Sequence, residues 1–203
     1  MNFGKLKVAL KGLINRRDLT DALAGDFINR AIDEAQRVVR IAPNEALLIA
    51  DDWSLGNNAI LIPGNYLELV DIFTDDEVLE AVDKARFLRT RGEGPPKVYT
   101  KVGPNWLIKP TPPEGQRVYV QYHGADAWLL ADTESNMWTR GAFNAALYGA
   151  AALAADYFQM EDQYVQRFQG KANALITTIQ QQDYDDRWSG TTTMGRVADR
   201  GDF

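Results

Sequence analysis

FINRAIDEAQRVVRIAPNEALLI, residues 27–49, contains the change of pattern that decides the fold. Up to Arg40 the apolar residues Phe27, Ile28, Ala31, Ile32, Ala35, Val38 and Val39 recur at helical spacing, the stripe of a helix lying on a core. Asp26, Asp33 and Glu34 precede Arg30, Arg37 and Arg40, acid before base, which predicts a solvated face laced by ion pairs. Pro43 closes the helix because it has no N–H to donate and its ring clashes with the preceding turn. From Glu45 onward the helical period is gone.

Upstream, Leu6, Ala9, Leu10, Leu13 and Ile14 predict a shorter helix that Asn15-Arg16-Arg17-Asp18 ends. Downstream, to about Asp126, short apolar or alternating segments cover residues 46–49, 59–62, 67–73, 98–102, 106–108 and 118–122. Turn residues such as Pro63-Gly64-Asn65 and Gly103-Pro104-Asn105 separate them, so they read as strands. Residues 78–82 are ambiguous, and 83–89 suit a turn or two of helix beside the sheet. Helical period returns from Met137 to Met160, rich in small side chains that let helix axes approach closely. It resumes in Tyr164, Phe168, Ala172, Leu175, Ile176 and Ile179, a last helix expected to end near Asp183.

The segregated order predicts an α+β fold: an antiparallel helical bundle made by the N- and C-terminal helix pairs, an inserted β-rich subdomain and an extended C-terminal arm. The expected divisions are residues 1–44, 45–126, 127–186 and 187–203. A chain of 203 residues can hold one domain with such an insertion.

Composition excludes several classes. With 45% hydrophobic and 25% charged residues the chain is ordinary for a folded protein. Its most apolar run, Gly141 to Ala155, lies between Arg140 and Asp156 and is too short to span a membrane. Met1 to Lys11 carries lysines but no apolar core with a small-residue cleavage site, so neither secretion nor membrane insertion is expected. Having no cysteine, the chain has no disulfide, thiolate metal site or cysteine nucleophile. A net charge of −6 argues against a surface that grips phosphates, since that affinity comes from lysine and arginine displacing counterions.

His123 is the single histidine, at the end of a predicted strand, and reads as a partly buried or edge-strand residue. Asp51-Asp52, Asp75-Asp76-Glu77 and Asp183-Tyr184-Asp185-Asp186 lack the spacing of a calcium loop and read as solvated turns and caps. Neither nucleotide-binding glycine signature occurs, and Trp188-Ser189-Gly190 is no nucleophile elbow. No cofactor and no metal is therefore expected.

Four stretches, in this order, carry a resemblance. They are Asn15-Arg16-Arg17-Asp18-Leu19-Thr20, Leu61 to Leu69 (LIPGNYLEL), Pro95-Pro96-Lys97-Val98-Tyr99-Thr100 with Leu107 to Gly115 (LIKPTPPEG), and Asp185 to Gly190 (DDRWSG). Together they resemble the head-to-tail adaptor, or head-completion, proteins of short-tailed bacteriophages. Gly64-Asn65 stands where that family usually has an acidic residue after its proline. The resemblance implies a non-enzymatic virion subunit, made in the host cytoplasm and assembled at the head-tail junction as a closed ring, commonly of twelve copies. The implied partners are the portal protein, a tail tube or nozzle protein, further copies of the chain, and double-stranded DNA passing through the lumen without specific binding.

The arm expectation follows. After Asp186 the helical period is lost, yet Arg187, Trp188, Met194, Arg196, Val197, Arg200 and Phe203 supply arginines and large apolar side chains. Such a segment is expected to be disordered alone and to order against the portal or a neighbouring subunit, with Arg187 and Trp188 as first anchors. Two other classes compete: a glycan-acting tail-associated enzyme using Glu134, Glu161 or Asp183, and a carbohydrate-binding β module stacking sugars on Trp53, Trp106 and Trp128.

Overall fold

A computed structural model describes residues 1–53, 57–91 and 94–188. Those residues form a mixed α+β chain in two compact units: Met1–Ala35 with the chain from Trp138 onward, and Gln36–Met137.

In the first unit α1 (Phe3–Ile14) starts at Asn2, whose Oδ1 accepts from the Lys5 N–H at 3.1 Å. It stops at Asn15, which adopts the left-handed conformation (φ 50°) that asparagine tolerates at helix ends. The buried positions Phe3, Leu6, Leu10 and Ile14 form one seam. Leu13, assigned to the stripe from its spacing, instead lies 37% exposed beside the seam. α2 (Asp21–Val38) is capped by Thr20, whose Oγ1 accepts from the Leu23 N–H at 3.2 Å. Its stripe is Ala24, Phe27, Ile28, Ala31, Ile32 and Ala35. Val38 falls outside it at 65% exposure, because the seam steps by four from Ala35 to Val39.

The period from Met137 to Met160 is two helices, α4 (Met137–Arg140) and α5 (Phe143–Tyr157). The break falls at Gly141-Ala142, where glycine is the poorest helix former after proline. Seven alanines of α5 are buried, and a Cβ placed on Gly149 would stand 3.2 Å from Ala31 Cβ, so α2 and α5 approach closely as their small residues allow. Phe27 and Tyr157 meet at 5.4 Å between ring centroids. α6 (Asp162–Trp188) packs on α5 through Phe168 and Ala172, with Tyr148 and Phe168 stacked at 6.3 Å.

The second unit holds two sheets. β1 (Glu45–Ala50), β7 (Val118–Gly124) and β3 (Tyr66–Phe73) form the antiparallel order β1-β7-β3. β2 (Ala59–Leu61), β6 (Asn105–Lys109), β5 (Val98–Val102) and the two-residue β4 (Glu80–Ala81) form the other sheet, with β4 parallel to β5. The ambiguous 78–82 segment holds β4 and, at Val78, an isolated bridge to Phe73, and the expected short helix is α3 (Lys84–Arg89), capped by Asp83. Gly103, at φ 58°, takes the first position of the two-residue β5–β6 turn, as primed hairpin turns require. Both sheets contribute to one core around Trp106, Ile108, Ile60, Ile72, Val118 and Val120. Trp53 joins it and satisfies its Nε1–H on the Gln116 carbonyl at 2.6 Å. Each such fully buried side chain contributes on the order of 1.5–3 kcal/mol through the apolar surface it removes from water.

Candidate interaction site

α5 has 15 residues and α6 has 27, so the antiparallel partner is outrun: roughly 22 Å of helix lies beside roughly 40 Å. The apolar stripe of α6 thins accordingly. Phe168 and Ala172 are buried, Leu175, Ile176 and Ile179 are half-buried, and Tyr184 is 61% exposed. An open groove of about 440 Å³ lies where the α4–α5 junction faces α6, lined by Met1, Arg140, Phe143, Leu175, Ile179 and Gln182 among others.

Beyond the groove the last turns of α6 carry Asp183, Tyr184, Asp185, Asp186 and Arg187. Arg187 donates through Nε to Asp183 Oδ2 at 2.7 Å, acid before base at i,i+4, which holds the helix together past the expected end near Asp183. Three aspartates near a helix C-terminus oppose the macrodipole, so a cationic or hydrogen-bonding partner is favoured there. Arg187 therefore sits on a helix rather than at the start of an extended segment, and Trp188 is the last helical residue. The Trp188 side chain, and Met194, Arg196, Val197, Arg200 and Phe203, lie outside the described residues.

The rival sites come apart in space. Trp53 and Trp106 are 4% and 1% exposed, embedded in the sheet core with no face to offer a sugar; Trp128 is half-exposed. Glu134 Oε2 accepts from the Leu130 N–H at 2.6 Å, and Glu161 Oε2 accepts from Gln163 Nε2. Glu161 and Asp183 stand at opposite ends of α6, roughly 30 Å apart along its axis, much too far to flank one glycosidic bond. His123 is buried in β7, its backbone paired with Glu45 on one side and Glu68 on the other. Among the described residues no group of His, Cys, Asp and Glu side chains forms a candidate metal set, and no helix is long and apolar enough to cross a membrane. In the 73–78 turn, Thr74 Oγ1 accepts from the N–H groups of Asp76 and Glu77, leaving those acidic side chains in solvent as expected.

Sequence reasoning missed the groove, because its walls come from three helical segments that no local period brings together. It also missed the apolar outer side of β1, where Leu47 and Ile49 are 56% and 50% exposed. A signal existed: Ala46-Leu47-Leu48-Ile49-Ala50 is apolar at every position, the pattern of a strand with both faces meant for contact.

A mixed α+β chain with an outrunning, charged helix end and an open groove of mixed polarity beside it has the features of a structural interaction protein. The chain belongs to the SU10 adaptor protein family, a family of phage head-to-tail adaptors, whose profile matches residues 1–195. No curated protein matches it.

Proposed function

We propose that the chain is a virion subunit that assembles as a ring, commonly of twelve copies, between the portal and the tail tube or nozzle, and that it leaves an axial channel for DNA. The observation that carries this reading is the family match over residues 1–195, which includes both helical ends, the β insert and most of the tail. In this reading residues 1–44 and 127–186 act as one antiparallel bundle, 45–126 as its insert, and the chain from the end of α6 as the docking arm. Arg187 and Trp188 anchor from the last helical turn, and Met194, Arg196, Arg200 and Phe203 extend the contact. The family is structural, and the reading involves no catalysis.

The net charge of −6 bears on the channel. Repeated around a ring and turned inward, acidic side chains repel phosphates, so DNA slides instead of adhering. A lumen lined mainly by lysine and arginine in the assembled ring would contradict this.

The arm is tested by truncation after Asp186. The apolar seams of α1, α2, α5 and α6 lie upstream, so circular dichroism is expected to show an unchanged fold. Co-sedimentation with portal rings is expected to weaken. Equal docking by truncated and full-length chains would remove the arm from the account.

A further inference from the structure

Two faces of this chain are apolar at the centre, open to solvent and opposite in charge. The first is the outer side of the three-stranded sheet. Cross-strand register places Ile49, Tyr119 and Phe73 in one row and Leu47, Gln121 and Asp71 in the next. The Phe73 and Tyr119 rings stack at 5.2 Å, Leu47 and Ile49 are 56% and 50% exposed, and β1 is an edge strand. Strands β1, β3 and β7 contain Glu45, Glu68 and Asp71 and not one lysine or arginine, and Asp51 follows β1. Arg40 engages Glu68 and Gln121 engages Glu45; Asp71 lies exposed in the Leu47 row, while past Ile49 exposed Asp51 shares its end of the sheet with exposed Arg117, which precedes β7.

The second is the solvent side of α1. Its sequence holds Lys5, Lys7 and Lys11 and no acidic residue, and Arg16-Arg17 follow. Lys11 reaches Asp21, Lys7 lies over the Phe3 ring, and Arg16 pairs with Asp18, whereas Lys5 is exposed on the open stripe. Beside it stands Val8, 71% exposed, and one turn on is Gly12, where an added Cβ would meet nothing within 4 Å among the described residues. Lysine at one end of the stripe, valine in the middle and a glycine that keeps the surface flat suit a helix laid on a sheet. Helix-on-sheet burial of an apolar stripe is one of the few stable layer packings.

We propose that α1 of one copy docks on the outer β1–β7–β3 face of a second copy, with Val8 over Leu47 and Ile49 and Lys5 toward Asp71. Two different patches of one chain then meet, a heterologous contact, which closes into a ring when the rotation permits. The ring geometry rests on the adaptor reading; the pairing itself needs no portal and is tested without one. Charge complementarity decides for a second copy over other occupants: of the five cations in and just after α1, Lys11 and Arg16 are paired with carboxylates within the chain, which leaves too few for a duplex-gripping surface.

The test is charge-swap complementation with the full chain. One variant carries Lys5→Glu and Gly12→Glu, the other Ile49→Lys and Asp71→Lys; all four are surface positions, and replacing glycine inside a helix favours the fold. Sedimentation velocity is expected to show that the wild type self-associates, that each variant alone associates at least about tenfold more weakly, and that the mixture recovers association. A wild type that stays monomeric, variants that associate as the wild type does, or a mixture no better than its components would each overturn the proposal. So would loss of duplex-DNA retention by the α1 variant with self-association intact, which would assign that face to nucleic acid. Portal co-sedimentation of the same proteins separates the two readings: complementation without portal docking sinks the adaptor assignment alone, and docking without complementation sinks this pairing alone.

Discussion

At the scale of single residues, the second unit carries an uneasy polar corner. Gln36 is 1% exposed and Asn44 6%, and among the described residues Gln36 Nε2, both Asn44 amide atoms and Asp126 Oδ2 are buried without a hydrogen-bond partner. Gln36 Oε1 accepts from the Asp126 N–H. Buried groups of this kind are ordinarily satisfied by internal water. Burial also holds the Asp126 carboxyl above its ordinary value, since the charged form is poorly solvated there. The folded state then binds more protons than the unfolded state between the ordinary and the raised value, so stability falls as pH rises through that window. Asp126→Asn removes the titration. Its melting temperature at neutral pH is expected to equal or exceed that of the wild type, with the wild type gaining on it as pH falls toward the ordinary carboxylate range. A wild type that instead loses ground to the variant over that range would contradict the burial. None of this was legible in the sequence: Asp126 stood at the end of the expected β-rich insert, and its N–H bonds to Gln36, 90 positions earlier.

Elements were far more legible, because their signals are local. The strands reproduce the expected segments to within a residue or two, since Pro, Gly and Asn punctuate them: Pro63-Gly64-Asn65 opens β3 and Gly103-Pro104 turns β5 into β6. Helices were harder at their ends. Gly141 splits α4 from α5 inside one continuous apolar pattern, and the Asp183–Arg187 pair carries α6 on to Trp188 where the apolar period has stopped. Two substitutions test the packing of elements. Trp106, fully buried in β6 with its ring edge-on to Tyr66 at 5.3 Å, should cost about 3–5 kcal/mol on change to Ala. Chemical denaturation measures it, and a loss below about 1 kcal/mol would mean the two sheets do not share that core. Gly149→Leu forces bulk between α5 and α2, where only 3.2 Å separates a Cβ from Ala31. The expected loss is about 1–3 kcal/mol by the same method, and a variant as stable as the wild type would contradict the close approach.

For the whole molecule, the order of elements was readable and the surfaces were not. Helix, helix, β insert and helix again followed from periodicity, and the four matching stretches from Asn15 to Gly190 pointed to the adaptor family that the profile match then established. Which faces remain open depends on contacts distant in sequence. The 440 Å³ groove joins Met1 to Gln182, and the outer sheet face joins β1 to β7, whose paired residues lie 68 to 78 positions on. The central claim, that the chain bridges portal and tail, is tested most directly by electron microscopy of the purified full-length chain mixed with its portal rings. The account predicts a second ring seated coaxially on the portal, with a continuous axial opening. Portal particles without added density, at chain concentrations well above those of the portal, would contradict it.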